Sequence, residues 1–198
     1  MHGEADTSRS DKRTIWFVTQ NRHKYEEARR ILDPFGIRIR MLASPKTEIQ
    51  STNLSEIAKF AAEEAAKKHN RTVLVEDSGL FVKALDGFPG PFSSYVHDTI
   101  GVGGLLRLMS RQTRREAYFQ ASLDLASPRG TSQEFSGKVH GTISHQPGGK
   151  QGFGFDPIFI PKGTRKTFAQ GGSEFKDRYS HRAIAFRKLA LWYIKTKV

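Results

Sequence analysis

A short apolar segment that ends in two carboxylates constrains this chain more than any other feature. Residues 73–75 are apolar and mostly β-branched, which predicts a buried strand, and Glu76 and Asp77 follow directly. Carboxylates at the end of a buried strand are costly unless they are paired or bind a cation. The Gly- and Pro-rich residues 87–91 predict a tight loop nearby. This arrangement is typical of a metal-assisted site, although Asp-Ser-Gly is also common in ordinary turns.

Length and composition favour a single domain. The chain has 198 residues and no cysteine, which excludes disulfides and thiolate chemistry and suits a cytoplasmic protein. It has no apolar run approaching the ~18 residues of a membrane span, so we expect no membrane as a partner. Residues 1–12 are polar and lack the apolar core of a signal peptide. We therefore expect a loose N-terminal tail over residues 1–12 and one two-lobed domain over residues 13–198.

The charge balance favours anionic partners. Lys and Arg number 32 against 20 Asp and Glu, which gives a net charge of +12. Nucleic acid is one candidate partner and a free nucleoside triphosphate is another. Because the basic residues are spread along the chain, a solvated basic surface without a specific partner is a third interpretation.

A polar loop between the first strand and the first helix is suited to binding a phosphate. Residues 14–18 predict the strand, and a helix that ends at Asp33-Pro34 follows the loop. This layout aims backbone N–H groups and a helix N-terminus at an anion. Thr19, Asn21 and Lys24 would add side-chain donors. The Walker pattern is absent, and an ordinary turn between strand and helix is the alternative.

The next segments continue the alternation of strands and helices. Residues 37–41 predict a strand, and a loop that contains Glu48 follows. Asn53 and Glu56 have the spacing of a capping box at the start of a helix. A short helix is expected over residues 102–109. Glu48 is a functional candidate only if it lies close to Asp77, the second acid after the buried strand.

The middle of the chain predicts a β-hairpin. Residues 116–125 and 135–143 alternate between apolar and polar side chains, with Ser122 and Asp124 on the polar face of the first strand. Further along, residues 167–178 are polar and are expected to be irregular.

Two C-terminal segments are candidates for recognising a base. Phe153 and Phe155 are interleaved with glycine, which suits either a stacking face or an ordinary core segment. Ser180 is placed to cap the last helix, so His181 and Arg182 lie at its start, where the dipole disfavours cations. An anionic or carbonyl partner is therefore expected there.

Five motifs in order along nearly the whole chain resemble those of the inosine triphosphate pyrophosphatase family. The resemblance implies an α/β fold that is elongated and two-lobed, with a long curved mixed β-sheet flanked by helices and a central cleft. It implies a homodimer that hydrolyses non-canonical purine nucleoside triphosphates (ITP, dITP, XTP) to the monophosphate and pyrophosphate. The motifs are residues 19–24, the segment around Glu48, residues 76–80 with 87–90, residues 152–157, and residues 180–182 with Lys176 upstream.

The same resemblance implies roles for individual residues. Glu48 and Asp77 would bind Mg²⁺, Asp77 would also act as the base, and Lys24 would be a catalytic cation. The substrate-binding residues that it implies are Thr19, Asn21, Lys24, Ser78, Phe153, Gly154, Phe155, Asp156, Lys176, His181 and Arg182.

The chain departs from the family pattern at several positions. His23 stands where the family often has glycine, which changes the phosphate loop. Gln170, Gly171 and Asp177 replace the usual residues around Lys176. These changes bear on loop geometry and base specificity.

Three other functions fit parts of the sequence. A related nucleotide pyrophosphatase could prefer another base, such as a modified pyrimidine. A basic nucleic-acid-binding module would use Phe153, Phe155 and Tyr118 as stacking platforms. That module gives no role to Glu48 and Asp77, so we do not expect nucleic acid as a partner. The third alternative is a dimeric scaffold that has lost enzymatic activity.

Overall fold

A seven-stranded mixed sheet organises the part of the chain that the computed structural model describes, residues 14–197. The predicted loose tail over residues 1–12 lies outside the described residues. The strands are β1 (Thr14–Val18), β2 (Arg38–Leu42), β3 (Val73–Val82), β4 (Pro89–Gly90), β5 (Glu116–Ala126), β6 (Ser132–Ile143) and β7 (Phe159–Pro161). Their order is β2-β1-β3-β5-β6-β7, with β4 paired to β3. β1 runs parallel to β2 and β3, and the other pairs are antiparallel.

Helices cover both faces of the sheet, which confirms the predicted mixed α/β fold. They are α1 (Arg22–Leu32), α2 (Leu54–His69), α3 (Ser93–Thr99), α4 (Gly101–Leu108), α5 (Phe168–Tyr179) and α6 (His181–Lys197). α1 and α6 share one core with β1, β3 and β5, and α2 packs on the opposite face. A third apolar cluster joins α4 and α5 to the far halves of β3 and β5. None of the helices described in residues 14–197 has the length and apolar character needed to cross a membrane. The two-lobed division stays a prediction.

The central strand β3 is longer than the sequence predicted. It continues through Glu76 and Asp77 to Val82 and pairs with β5 along its whole length. The prediction that it ends at the two carboxylates is therefore wrong. Because successive side chains of a strand point to opposite faces, Glu76 and Asp77 lie on different sides of the sheet. The strand can contain both acids because the two carboxylates lie on opposite faces and so have different neighbours.

Helix α5 replaces the irregular segment predicted over residues 167–178. The Thr167 hydroxyl accepts a hydrogen bond from the Gln170 N–H (3.1 Å), and the Gln170 side chain accepts one from the Thr167 N–H (2.9 Å). This capping box starts a helix despite the polar composition. Gly172 has φ +76° and kinks the helix. Asp177 then joins the end of α5 to α1 through an ion pair with Arg30 (2.7 Å).

Other predicted elements are confirmed with small changes. The hairpin and the last helix form as expected, and Phe186, Leu189 and Ala190 are buried on α6. The helix expected at residues 102–109 is confirmed as α4, and a helix that was not predicted, α3, precedes it. Asn53 caps α2 by accepting from the Ser55 N–H, whereas Glu56 accepts from Ser51 Oγ and closes no capping box.

The second half of the polar face of β5 is buried, contrary to expectation. Ser122 is 0% and Asp124 1% exposed, because α2 covers this face of the sheet. Within residues 14–197, Ser122 Oγ and Asp124 Oδ1 have no hydrogen-bond partner. Burial, together with the negative charges of Glu63 and Glu134, raises the pKa of the Asp124 carboxyl to about 6. The alternation of the sequence could not show that a helix lies over the polar side.

The variant Asp124→Asn is expected to gain stability relative to the wild type as the pH rises. Since the folded-state pKa lies above the unfolded value, the ionised carboxylate destabilises the fold above about pH 6, and this cost disappears towards about pH 4. The difference in unfolding free energy should shift by about 1–3 kcal/mol towards the variant between these conditions. Urea denaturation at about pH 4 and about pH 8 measures the shift. The exposed Glu116→Gln is the control, and an equal difference at both pH values would contradict the assignment.

Candidate active site

One cavity of about 480 Å³ brings together every site residue predicted from the sequence. Its walls come from the β1–α1 loop, the segment after β2, the middle of β3, helix α3, residues 153–156, and the junction of α5 and α6. The predicted residues that line it are Thr19, Asn21, Lys24, Glu48, Asp77, Ser78, Phe153, Gly154, Phe155, Asp156, Lys176, His181 and Arg182. Their individual roles remain predictions, but the convergence of distant motifs on one cavity is observed.

The loop between β1 and α1 is held in shape by its own side chains. Thr19 Oγ1 accepts a hydrogen bond from the Asn21 N–H, and Asn21 Oδ1 accepts one from the Lys24 N–H, both at 3.1 Å. Asn21 is thereby the N-cap of α1, whose first turn has no acidic residue. The start of this helix therefore faces the cavity with a favourable field for an anion.

Lys24 lies deep in the same wall. Its Nζ is 3.8 Å from Glu76 Oε1. Burial lowers the pKa of the Lys24 ammonium, while the negative charge of Glu76 opposes that shift. An ammonium that is shielded from water and held at the end of a phosphate loop interacts strongly with an anionic ligand.

Asp77 presents a free carboxylate to the cavity. Within residues 14–197 it has neither a hydrogen bond nor an ion pair. Burial raises the pKa of the Asp77 carboxyl above its ordinary value; Lys24 and Lys46 oppose this shift, and the nearby charge of Glu48 adds to it. Asp77 and Glu48 therefore share one electrostatic environment as well as one cavity.

Asp77 and Glu48 are carboxylates of the chemical type that Mg²⁺ prefers. Glu48 is held by Lys46, whose Nζ lies 2.6 Å from Glu48 Oε1. No cluster of three metal-ligating side chains is found in residues 14–197. Mg²⁺ keeps several waters and commonly uses one or two carboxylates together with phosphate oxygens, so two acids suffice. The free carboxylate of Asp77 supplies a hard oxygen ligand of the required kind.

A buried ion-pair network forms the floor of the cavity. Arg182 donates from Nε and Nη2 to Glu76 (2.7–3.0 Å) and from Nη1 to Glu27 (2.6 Å). Lys176 bridges Glu27 (2.8 Å) and Asp156 (2.6 Å). The anionic partner expected for Arg182 is therefore supplied by the protein itself. Arg182 and Lys176 are held rigidly, so any contact that they make with a ligand comes from a fixed position.

The network also shifts the pKa values of its acids. Burial alone would raise the pKa of the Glu76 carboxyl, but Arg182 and Lys24 outweigh it and hold that pKa well below its usual range. Glu27 behaves in the same way, with Arg182 and Lys176 as the dominant cations. Both carboxylates therefore stay ionised at neutral pH.

His181 is a neutral, buried imidazole at the start of α6. Burial, reinforced by the positive charge of Arg182, lowers the pKa of His181 well below its ordinary value. Its ring stacks on Phe119, with 4.7 Å between centroids and an angle of 9°. Within residues 14–197, Nδ1 has no hydrogen-bond partner. The cavity thus contains an uncharged imidazole with a nitrogen that is still unsatisfied.

Sequence reasoning missed several residues that line the cavity. Lys46 contacts Glu48 and also lies 3.4 Å from the Glu76 carbonyl oxygen. Its position two residues before Glu48 was a signal that could have been used. Helix α3 contributes Ser93, Ser94, His97 and Asp98, which no motif indicated.

Close backbone packing places α3 against the cavity. A Cβ atom at Gly79 would lie 2.2 Å from the Gly90 carbonyl oxygen, so only glycine permits this approach of β4 to β3. Ser93 Oγ then accepts from the Leu80 N–H (2.8 Å) and donates to the Gly90 carbonyl (2.6 Å). The first turn of α3 is thereby fixed beside the middle of β3.

Sequence comparison relates this chain to one protein family over most of its length. The model of the Ham1 family matches residues 15–192. A dITP/XTP pyrophosphatase from Hyperthermus butylicus is 46% identical over 92% of this chain and 95% of its own. A second, from Ignicoccus hospitalis, is 48% identical over 89% of this chain and 94% of its own.

Solved structures show the same fold. A Ham1 protein from Coxiella burnetii superposes with a TM-score of 0.81 at 28% identity, covering 93% of this chain and 99% of its own. The Staphylococcus aureus Ham1 protein gives a TM-score of 0.79 at 30% identity, covering 92% and 99%. These matches confirm the resemblance drawn from the five motifs: the chain belongs to the Ham1 family.

Proposed function

We propose that this chain hydrolyses non-canonical purine nucleoside triphosphates, such as dITP, ITP and XTP, to the monophosphate and pyrophosphate. The observation on which this rests is the single cavity that joins the start of α1 to Asp77 and to His181. The relatives from H. butylicus and I. hospitalis are both named dITP/XTP pyrophosphatases, which supports the substrate class.

In this proposal the phosphates lie against residues 19–24. The N-terminus of α1 and the Lys24 ammonium bind phosphate oxygens and offset the charge that develops on the leaving group. Glu48 and Asp77 are the residues that would hold Mg²⁺, which when bound withdraws charge from the phosphates. Most of the acceleration then comes from positioning and electrostatics, as is usual for phosphoryl transfer.

Asp77 is the residue proposed to act on the attacking water. Its carboxylate is free, and burial moves its pKa towards the range in which a carboxylate is an effective base. The water oxygen bonds to the α-phosphorus as its proton moves to Asp77. The bond from the α-phosphorus to the oxygen that bridges the β-phosphorus breaks, and pyrophosphate leaves.

Base choice is assigned to the part of the cavity lined by Lys176, His181 and Arg182. Hypoxanthine and xanthine carry a 6-oxo acceptor where adenine carries a 6-amino donor. We assign the reading of this position to His181, Lys176 and Arg182, whose remaining N–H donors would favour an acceptor. A site that leaves a buried polar group unpaired with the wrong base can discriminate by about 10⁴-fold.

The structure offers less support for a nucleic-acid-binding module. Phe155 is only 3% exposed and belongs to the core cluster around Leu80 and Phe159. Tyr118 is stacked on Phe81, with 4.7 Å between ring centroids. Two of the three predicted platforms therefore already pack against the protein's own side chains.

The homodimer is part of the same proposal. Phe88, Phe92, Tyr95 and Ile100 are large apolar side chains that are exposed in the segment from the β3–β4 turn to α4. A second copy of this chain is the partner that we propose for them. The mass in solution by light scattering tests it, and a monomer at all concentrations would contradict it.

The products formed in labelled water test the proposed reaction. With dITP and Mg²⁺ in H₂¹⁸O, we expect equimolar dIMP and pyrophosphate, with the label in the phosphate of dIMP, because water attacks the α-phosphorus. Chelation of the metal should reduce the rate by at least about 10²-fold, since the charge on the phosphates is then unshielded. Mass spectrometry and a pyrophosphate assay measure both. Release of orthophosphate, or full activity in chelator, would contradict the mechanism.

A further inference from the structure

The imidazole of His23 lies stacked on the ring of Phe153 within the cavity. The two ring centroids are 5.1 Å apart and the ring planes differ by only 14°. His23 belongs to the first turn of α1, and Phe153 lies in the loop before β7. Both side chains line the main cavity and also a smaller adjoining cavity of about 140 Å³. Two flat side chains from distant parts of the chain thus meet in the cavity, one from the phosphate segment and one beside Lys176, which is assigned to the base.

Phe153 is the fixed member of this pair. Its N–H donates to Asp156 Oδ2 (2.8 Å), and Lys176 donates to the same oxygen (2.6 Å). The Lys176 ammonium also lies 4.1 Å from the centroid of the Phe153 ring, a favourable cation–π contact. Gly152 and Gly154, on either side, have φ of +81° and +61°, which glycine adopts without strain. The loop therefore presents the ring of Phe153 from a well-anchored backbone.

His23 is the member that can move. Its residue is exposed, and within residues 14–197 its ring nitrogens form no hydrogen bond or ion pair. The stack with Phe153 is its principal described contact. A change of its side-chain rotamer would break no polar interaction of the fold.

The neighbouring Lys24 shows that the same turn of α1 also faces the main cavity. Lys24 lines the main cavity beside the loop that begins α1. A triphosphate bound at this turn would carry its base within reach of the adjoining side chain. The sequence has histidine here where the family often has glycine, so this chain adds a ring that such relatives lack.

We propose that His23 and Phe153 form a two-ring clamp that takes the purine between them, a specificity element that rests on the proposed function. Aromatic layers pack with their atoms about 3.5–4.0 Å apart, so the two rings need to separate to about 7 Å. The rings are already nearly parallel, and rotation of the unbonded His23 side chain provides the opening. The base then gains a stacking partner on each face.

The variant His23→Ala tests the clamp through ligand affinity. Calorimetric titration with dIMP should show binding weakened by about tenfold, within the usual range for loss of one base-stacking partner. Titration with pyrophosphate should be unchanged within about twofold, because the Thr19 and Asn21 hydrogen bonds that shape the loop and the Lys24 ammonium do not involve the His23 side chain. His23→Phe keeps a flat ring without its nitrogens and should restore dIMP affinity. Arg29→Ala, exposed on α1 and outside the linings of both cavities, is the control and should bind dIMP as the wild type does.

The outcomes separate the clamp from the proposed function. If His23→Ala binds dIMP as tightly as the wild type or more tightly, the ring only covers Phe153 and the clamp is wrong. Equal losses for dIMP and pyrophosphate, or no rescue by His23→Phe, would also overturn it. If the wild type itself neither binds dIMP nor hydrolyses dITP, both the clamp and the proposed function fail.

Discussion

Asp77→Asn is expected to lower kcat for dITP by about 10³-fold or more, the scale of losing a positioned general base. The amide cannot take a proton from water and is a poor ligand for a divalent ion. Binding of dIMP and pyrophosphate should persist, because the start of α1 and the base end of the cavity do not depend on this carboxylate. Steady-state kinetics and calorimetry of the purified variant measure the two quantities separately.

A neighbouring acid provides the control. Asp98 lines the same cavity, but its side chain is 73% exposed and belongs to α3. Asp98→Asn should therefore change kcat far less than Asp77→Asn does. Full turnover in Asp77→Asn would refute the role assigned to this carboxylate.

Arg182→Ala is expected to cause the largest loss of stability, about 3–5 kcal/mol, because it leaves buried carboxylates without their partner. The side chains of Glu76 and Arg182 are 0% and 2% exposed, and Glu27 is 7% exposed. Arg182 holds the pKa values of both acids below their ordinary range. That contribution is present above the unfolded pKa of glutamate and is lost in acid, so the defect should shrink as the pH falls.

Thermal and urea denaturation at neutral and acidic pH measure this effect. The midpoint temperature should fall by about 10 °C at neutral pH. Arg29→Ala is the matched control, because Arg29 pairs with Glu26 on the surface of α1 and such pairs contribute at most about 1 kcal/mol. A similar small loss in both variants would show that the network does not stabilise the fold.

Local signals explain what the sequence predicted well. The β1–α1 unit was found because an apolar strand, a polar loop and a helical segment that ends at Asp33-Pro34 follow one another within a short stretch. The hairpin of β5 and β6 was found because its alternation extends over many residues. Helix α5 was missed because polar composition hid the capping box of Thr167 and Gln170.

Long-range contacts explain what the sequence could not show. Arg182 is 106 residues from Glu76 and 155 from Glu27, so no local pattern could reveal that its partners are the protein's own acids. In the same way, the burial of Asp124 depends on the position of α2 over β5. Many of the cavity residues were nevertheless identified, because they lie in short motifs that resemble those of the family.

Pyrophosphate release from dITP and XTP, compared with dATP under the same conditions with Mg²⁺, tests the central claim most directly. The account predicts kcat/KM for dITP and XTP at least about 10²-fold above that for dATP, because the donors at the base end of the cavity favour a 6-oxo group. Equal hydrolysis of the three triphosphates, or no pyrophosphate from any of them, would contradict it.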